Sequence, residues 1–207
     1  MPLKISEILE RSPVIPVLVI DDLTDAKPLA EALVAGNLPA LEVTLRTPSA
    51  LDVIREMAKV PGGIVGAGTL LTPDDVRAAK AAGAQFGVSP GATDILLAAC
   101  EEEELPLLAG AATASEAMRL SERGYDMLKF FPAEAAGGAP ALKAIGAPLP
   151  QITFCPTGGI TMDNARRYLS LPNVLCAGGS WVAPKALVTE NRWADIEALA
   201  RAASELG

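Results

Sequence analysis

The chain contains no histidine. That absence removes Ser-His and Cys-His nucleophilic systems, HExxH metal sites and a histidine general base. Proton transfers fall to Glu, Asp, Lys, Tyr, Cys or water. A catalytic metal would need an all-carboxylate site, and no carboxylate cluster has the spacing for one. The run Glu101 to Glu104 reads as the solvated end of a helix. Aromatic residues are scarce, 4% against 50% hydrophobic, a balance that suits Ala- and Leu-rich helices on short strands better than an all-β sandwich. Cysteines are few and odd in number (Cys100, Cys155, Cys176), with no metal-like spacing, which points to a reducing, cytoplasmic compartment. Positive charge is short as well. Lys and Arg number 17 against 25 Asp and Glu, a net charge of −8, and they are scattered, so no nucleic-acid surface is expected. An anion would have to be held locally, by backbone N–H groups and a few cations. No apolar run approaches a membrane span, and the first residues lack a signal-peptide core.

What is present is a regular alternation. Short apolar runs rich in β-branched residues fall at 14–20, 40–45, 64–69, 85–89, 106–111, 127–131, 151–156 and 174–179, and helical stretches separate them. Thr24, Thr47-Pro48 and Thr72-Pro73 read as helix starts, and Gly36, Gly83 and Gly124 as helix ends. One further helix is expected at 3–10, before the first strand, and another at 193–205. Eight βα units in 207 residues, without a long linker, fit one domain over 1–207. The choice is between a (β/α)₈ barrel and an open doubly wound sheet. Glu42, Thr44 and Arg46 stand at period two and share a face of the second strand, as Lys129 and Phe131 share a face of the sixth. An open sheet could leave those faces far apart, whereas a barrel turns both into one interior. The expected fold is the barrel, a TIM barrel with an extra N-terminal helix.

Lys129 is the anomaly of the chain. It sits in "MLKFFPAE" (127–134), flanked by Met-Leu and Phe-Phe, where a strand of a barrel has no edge at which a lysine could reach water. Desolvation and a neighbouring cation both favour the neutral, nucleophilic amine, and Arg46 is the expected second cation. Glu42, in "LEVTL", is an acid placed where it must be paired or titrate, as a general acid/base does. Two Gly-Gly pairs end the seventh and eighth strands: "PTGGI" (156–160) and "AGGSW" (177–181). Barrels often hold a substrate phosphate between those two loops, where glycine lets backbone N–H groups approach the anion. Thr157 and Ser180 add hydroxyls. The fragment "GAGT" (66–69) lacks the remainder of a dinucleotide-binding motif and is set aside. Lysine, glutamate, arginine and a phosphate cradle, without histidine, fit imine chemistry on a phosphorylated keto acid.

Six blocks, "LEVTLRT" (41–47), "VGAGT" (65–69), "VSPG" (88–91), "KFFPAE" (129–134), "FCPTGGI" (154–160) and "CAGGSW" (176–181), resemble the 2-keto-3-deoxy-6-phosphogluconate aldolases. These are the class I aldolases of the Entner–Doudoroff route. The likeness runs over nearly the whole chain in the same order and spacing. It implies a (β/α)₈ barrel that assembles as a homotrimer, uses no metal or cofactor, and cleaves the phosphorylated keto acid to pyruvate and glyceraldehyde 3-phosphate. By the same resemblance Lys129 forms the imine and Glu42 is the general acid/base. Arg46 and Thr69 hold the pyruvyl carboxylate, Phe131 and Pro90 line the site, and Gly158, Gly159 and Ser180 belong to the phosphate loops, with Gly178 and Gly179 beside them. Gly110-Ala111-Ala112-Thr113 stands where the family often has a bulkier residue or a serine, a departure that bears on selectivity.

Rival readings are an aldolase for 4-hydroxy-2-oxoglutarate or for the galactonate epimer, a phosphosugar isomerase or epimerase on the same barrel, and a barrel that only binds an anion. Isomerases of that kind use paired acids or a histidine at strand ends, and neither pattern occurs here. A mere anion binder has no use for both Glu42 and Lys129.

Overall fold

The structure, a computed structural model, describes residues 4–207. Eight parallel strands run β1 (Val14–Leu18), β2 (Ala40–Thr44), β3 (Ile64–Gly68), β4 (Phe86–Val88), β5 (Leu107–Ala111), β6 (Met127–Phe130), β7 (Thr153–Pro156) and β8 (Ala177–Gly179). The helices are α1 (Ile5–Leu9), α2 (Ala26–Ala35), α3 (Ala50–Met57), α4 (Pro73–Ala81), α5 (Asp94–Glu102), α6 (Ala114–Glu122), α7 (Gly138–Gly146), α8 (Met162–Leu169), α9 (Lys185–Thr189) and α10 (Trp193–Ser204). The sheet order is β7-β6-β5-β4-β3-β2-β1-β8. The ring closes between β7 and β8 through isolated bridges, Phe154 to Val174 and Thr157 to Gly178. This is the (β/α)₈ barrel expected.

The apolar residues fall into two layers because strand side chains alternate in and out. Residues such as Val43, Val65, Leu128 and Phe130 face outward into the shell beneath the helices. Ile15, Ala40, Ile64, Phe86, Leu108, Met127, Cys155 and Cys176 point inward and pack with Ile8 and Leu9 of α1. Several stand at or near the start of their strands, so α1 closes the N-terminal floor of the barrel. The ionisable side chains that are buried stand at the level above. Glu42, Thr44, Lys129 and Thr157 are all buried there.

The strands are shorter than the apolar runs, β1 to β4 and β6 at their C-terminal ends and β4, β5, β7 and β8 at their N-terminal ends. Ile20, Leu45, Thr69, Ser89 and Phe131 have left the ladder and begin the βα loops. Thr72 caps α4 as expected, its hydroxyl accepting from the Asp75 N–H at 3.2 Å while the Asp75 carboxylate accepts from the Thr72 N–H at 2.9 Å. The other two threonine signals fail. Asp22 caps a 3₁₀ turn over Leu23–Asp25 that contains Thr24, and α2 starts only at Ala26. Thr47 donates its hydroxyl to the Ile20 carbonyl at 2.8 Å, and Ser49 occupies the cap position of α3. Gly83 and Gly124 do end helices in the left-handed region. Gly36 ends α2 with an ordinary φ of −82°. A side chain there would run into Ala200 of α10, so close helix packing accounts for it. The helix expected at 3–10 spans Ile5–Leu9, residue 3 lying outside the described residues. The run of four glutamates does end a helix, α5.

Candidate active site

β2 and β6 stand opposite one another in the ring, and each sends one ionisable side chain inward. Lys129 Nζ donates to Glu42 Oε1 at 3.3 Å, across 87 positions of sequence. The two residues are 5% and 2% exposed. Taking two charges out of water costs more than such a pair commonly returns in stability, so the site is built for something other than holding the barrel together. The Phe131 ring covers Nζ, with its centroid 5.3 Å away, a distance at which the face of the ring stabilises an ammonium.

Room for the pair comes from glycines on neighbouring strands. A Cβ on Gly68 of β3 would collide with the Glu42 carboxylate, and one on Gly66 with the Phe86 ring below. A Cβ on Gly110 of β5 would strike the backbone of Pro90, which turns in over the top of β4. The glycines of "GAGT" are thus spacers for an acid and a ring, a role that the motif alone does not reveal. Thr69 follows Gly68 with φ +64°, a strained value for a β-branched residue and one typical of functional rims. Thr44, also buried, donates to the Leu18 carbonyl at 2.9 Å and ties β2 to β1 just above Glu42. The Ser89 hydroxyl, fully buried beside Pro90, has no partner among the described residues.

Arg46 lies beyond the strand that was expected to carry it. β2 ends at Thr44, and Arg46 lies exposed in the following turn. Among the described residues its guanidinium makes no ion pair. The expectation of a second cation beside Lys129 rested on strand period, and Arg46 stands two residues past the end of β2. Once the chain leaves the ladder, the period-two rule no longer aims the side chain.

At the far rim, Gly158 (φ +102°) and Gly159 (φ +76°) both occupy the left-handed region, and their N–H groups donate to no acceptor among the described residues. Thr157 packs against Gly178 of β8, where any Cβ would meet its hydroxyl. Gly179 is overlaid by the Trp181 ring, and Ser180 is exposed beyond it. A cavity of about 630 Å³ opens beside Ser180 and Trp181 toward Val17, Val19, Asp21 and Lys185. Neither Lys129 nor Glu42 lines it. Cys155 of β7 stands in register with Lys129, Cys176 lies in the same interior cluster, and Cys100 lies on α5. Burial pushes the Cys100 thiol up to about 11, and the Cys155 hydrogen bond together with burial pushes Cys176 well up. Both stay neutral thiols, unsuited to nucleophilic attack.

A family model described as "KDPG and KHG aldolase" matches residues 5–199. The chain belongs to that aldolase family. The 2-dehydro-3-deoxy-phosphogluconate aldolase of Pseudoalteromonas atlantica is 52% identical over 95% of this chain and 92% of its own length. The KHG/KDPG aldolase of Escherichia coli K12 is 51% identical over 96% of this chain and 93% of its own. Among solved structures, the KDPG aldolase of Legionella pneumophila superposes with a TM-score of 0.94 at 49% identity, covering 97% of this chain and 98% of that one. That crystal structure holds pyruvate captured as a covalent carbinolamine. In this aldolase, of the residues singled out from the sequence, Lys129, Glu42 and Phe131 converge at the barrel centre. Thr69 and Pro90 stand on the tops of neighbouring strands. Thr157, Gly158, Gly159, Gly178, Gly179 and Ser180 form the β7–β8 rim.

Proposed function

We infer that this chain is a class I aldolase that cleaves 2-dehydro-3-deoxy-6-phospho-D-gluconate to pyruvate and D-glyceraldehyde 3-phosphate. One observation carries the reading: a buried amine and a buried carboxylate 3.3 Å apart at the C-terminal mouth of a barrel, where enzymes of this fold place their chemistry. Relatives about half identical carry that activity in their names.

The residues divide the work as follows. Lys129 gives up its proton, for which Glu42 is the adjacent acceptor, and attacks C2 of the keto acid. Glu42 passes that proton to the carbinolamine hydroxyl, which leaves as water to give an iminium and restores the carboxylate. That cation draws in the electrons of the C3–C4 bond as it breaks, leaving an enamine on Lys129. Glu42 takes the proton of the C4 hydroxyl, directly or through water, and glyceraldehyde 3-phosphate departs. Glu42 then returns a proton to the enamine carbon, and water releases pyruvate from Lys129. Gly158 and Gly159 offer free N–H groups to the phosphate, with Gly178, Gly179 and Ser180 across from them. Arg46 reaches the pyruvyl carboxylate with Thr69 once substrate is bound, its exposed guanidinium being free to swing in.

The protein works in the cytoplasm as a homotrimer on a small phosphorylated 2-keto acid. Leu71, Ile95 and Met118, all large and exposed, supply apolar surface for assembly. No helix among the described residues is long and apolar enough to cross a membrane. The double name of the Escherichia coli relative favours a second activity, cleavage of 4-hydroxy-2-oxoglutarate. The deciding assay measures pyruvate release from the gluconate-derived substrate, its galactonate epimer and 4-hydroxy-2-oxoglutarate side by side. The gluconate-derived substrate should give the highest kcat/KM. Faster cleavage of the epimer would reassign the substrate, and no pyruvate from any of the three would end the aldolase reading.

A further inference from the structure

A glycine pair in the left-handed region is an anion cradle only if something holds it still, because glycine has the most backbone freedom to lose. Three main-chain bonds clamp the Thr157–Gly159 loop to the end of β6 and the loop after it. Thr157 N–H donates to Phe130 O at 2.9 Å, Ala133 N–H to Thr157 O at 2.8 Å, and Glu134 N–H to Gly158 O at 3.1 Å. Side chains complete the clamp. The Glu134 stem lies across Gly159, whose Cβ, if present, would stand 2.8 Å from both Cβ and Cγ of Glu134.

α8 then grips both loops, one residue each. Asn164 Nδ2 donates to Gly159 O at 2.9 Å, while its Oδ1 accepts from the Thr161 N–H at 2.8 Å. One turn later on the same face, Tyr168, fully buried, donates its hydroxyl to Glu134 Oε1. Glu134 has no cationic partner within salt-bridge distance among the described residues. A carboxylate left loose beside an anion cradle would repel the phosphate. Here it is turned onto the start of α7, where a Cβ on Gly138 would lie 3.5 Å from Glu134 Oε1 and 3.4 Å from the Tyr168 hydroxyl. The first turn of a helix favours negative charge. Burial, then the bond to Glu134, pushes the Tyr168 hydroxyl above its usual range, so it remains a donor throughout neutral pH.

We propose that Glu134 and Tyr168 are positioning residues for the phosphate end of the substrate: their hydrogen bond fixes the β6–α7 loop against the Gly158–Gly159 turn and so sets selectivity for phosphorylated keto acids. The proposal rests on the aldolase reading above and adds to it. Neither residue touches the reacting carbons. Loss of the bond therefore weakens phosphate binding and leaves the imine chemistry on Lys129 intact.

The test compares the wild type with Tyr168→Phe and Glu134→Gln. Each is assayed for cleavage of the phosphorylated substrate, for inhibition by inorganic phosphate, and for exchange of pyruvate methyl protons with D₂O, which involves no phosphate. In both variants, KM and the inhibition constant of phosphate should rise about tenfold, the scale of one charge-assisted hydrogen bond. Pyruvate exchange should stay within about twofold of wild type. Exchange that falls in step with cleavage, or a KM that does not move, overturns the proposal. Glu134 is exposed, so its variant should fold and decides the matter alone if Tyr168→Phe does not. A wild type that fails to cleave the phosphorylated substrate would sink the aldolase reading; an active wild type with unaltered variants sinks only this proposal.

Discussion

Glu42 and Lys129 form a buried pair in which each side chain makes the other's burial tolerable. Replacing Glu42 by Gln keeps size and polarity but removes the proton carrier. Cleavage should fall by about 10² to 10⁴, the usual range for loss of a general acid/base. Pyruvate methyl exchange should fall with it, since the same carboxylate protonates the enamine. Exchange at the wild-type rate in a variant that no longer cleaves would require a second proton donor. Gly68→Ala makes a different prediction. The added methyl collides with the Glu42 carboxylate, so activity should drop at least tenfold while thermal unfolding shifts by the about 1 to 3 kcal/mol typical of overpacking. A fully active Gly68→Ala enzyme would mean that the carboxylate has room to move, contrary to the geometry. At this scale the sequence was partly legible. A charged residue inside an apolar run is conspicuous, so Lys129 and Glu42 stood out. Gly68 did not, because the collision that explains it involves a side chain 26 positions away. Arg46 stands two residues past the end of β2, where strand periodicity no longer aims a side chain.

Helix starts carry the next level of control, because each βα loop ends at a cap that anchors the rim of the site. Thr113 caps α6 directly after β5. Its hydroxyl accepts from the Glu116 N–H at 3.3 Å, and the Glu116 carboxylate accepts from the N–H groups of Ala112 and Thr113, each at 2.9 Å. Thr113→Ala should cost about 1 kcal/mol, as lost caps do, read as a lower urea midpoint with unchanged slope. The Ala112 N–H bond is the main cause holding the Glu116 carboxyl below its usual range. A carboxyl lowered on folding contributes stability above its unfolded pKa and loses it as pH falls through the folded value. The difference between wild type and Glu116→Gln should therefore be present at neutral pH and vanish on acidification below the ordinary carboxylate range. Capping by Thr72 was readable because Thr-Pro leads straight into the apolar period. Thr24 and Thr47 misled because nearby groups, Asp22 and the Ile20 carbonyl, compete for the same hydroxyl and N–H groups, and such competition is tertiary.

Over the whole molecule, eight alternating units predicted the ring, and the inward faces of β2 and β6 predicted that their charges would meet. The floor formed by α1, with Cys155 and Cys176 packed above it, could not be foreseen, since it does not follow from local pattern. No group of three or more His, Cys, Asp or Glu side chains converges among the described residues. Prolonged EDTA treatment should accordingly leave cleavage undiminished; a loss restored by zinc, magnesium or manganese would place the enzyme in the metal-dependent class of aldolases. The distribution of amines provides the most direct test of all. Of seven lysines, six (Lys4, Lys27, Lys59, Lys80, Lys143 and Lys185) are exposed, and Lys129 alone is buried. Pyruvate and borohydride, followed by peptide mapping, should place one reduced pyruvyl group per chain on Lys129. An adduct on any of the six exposed lysines, or no adduct at all, would contradict the account.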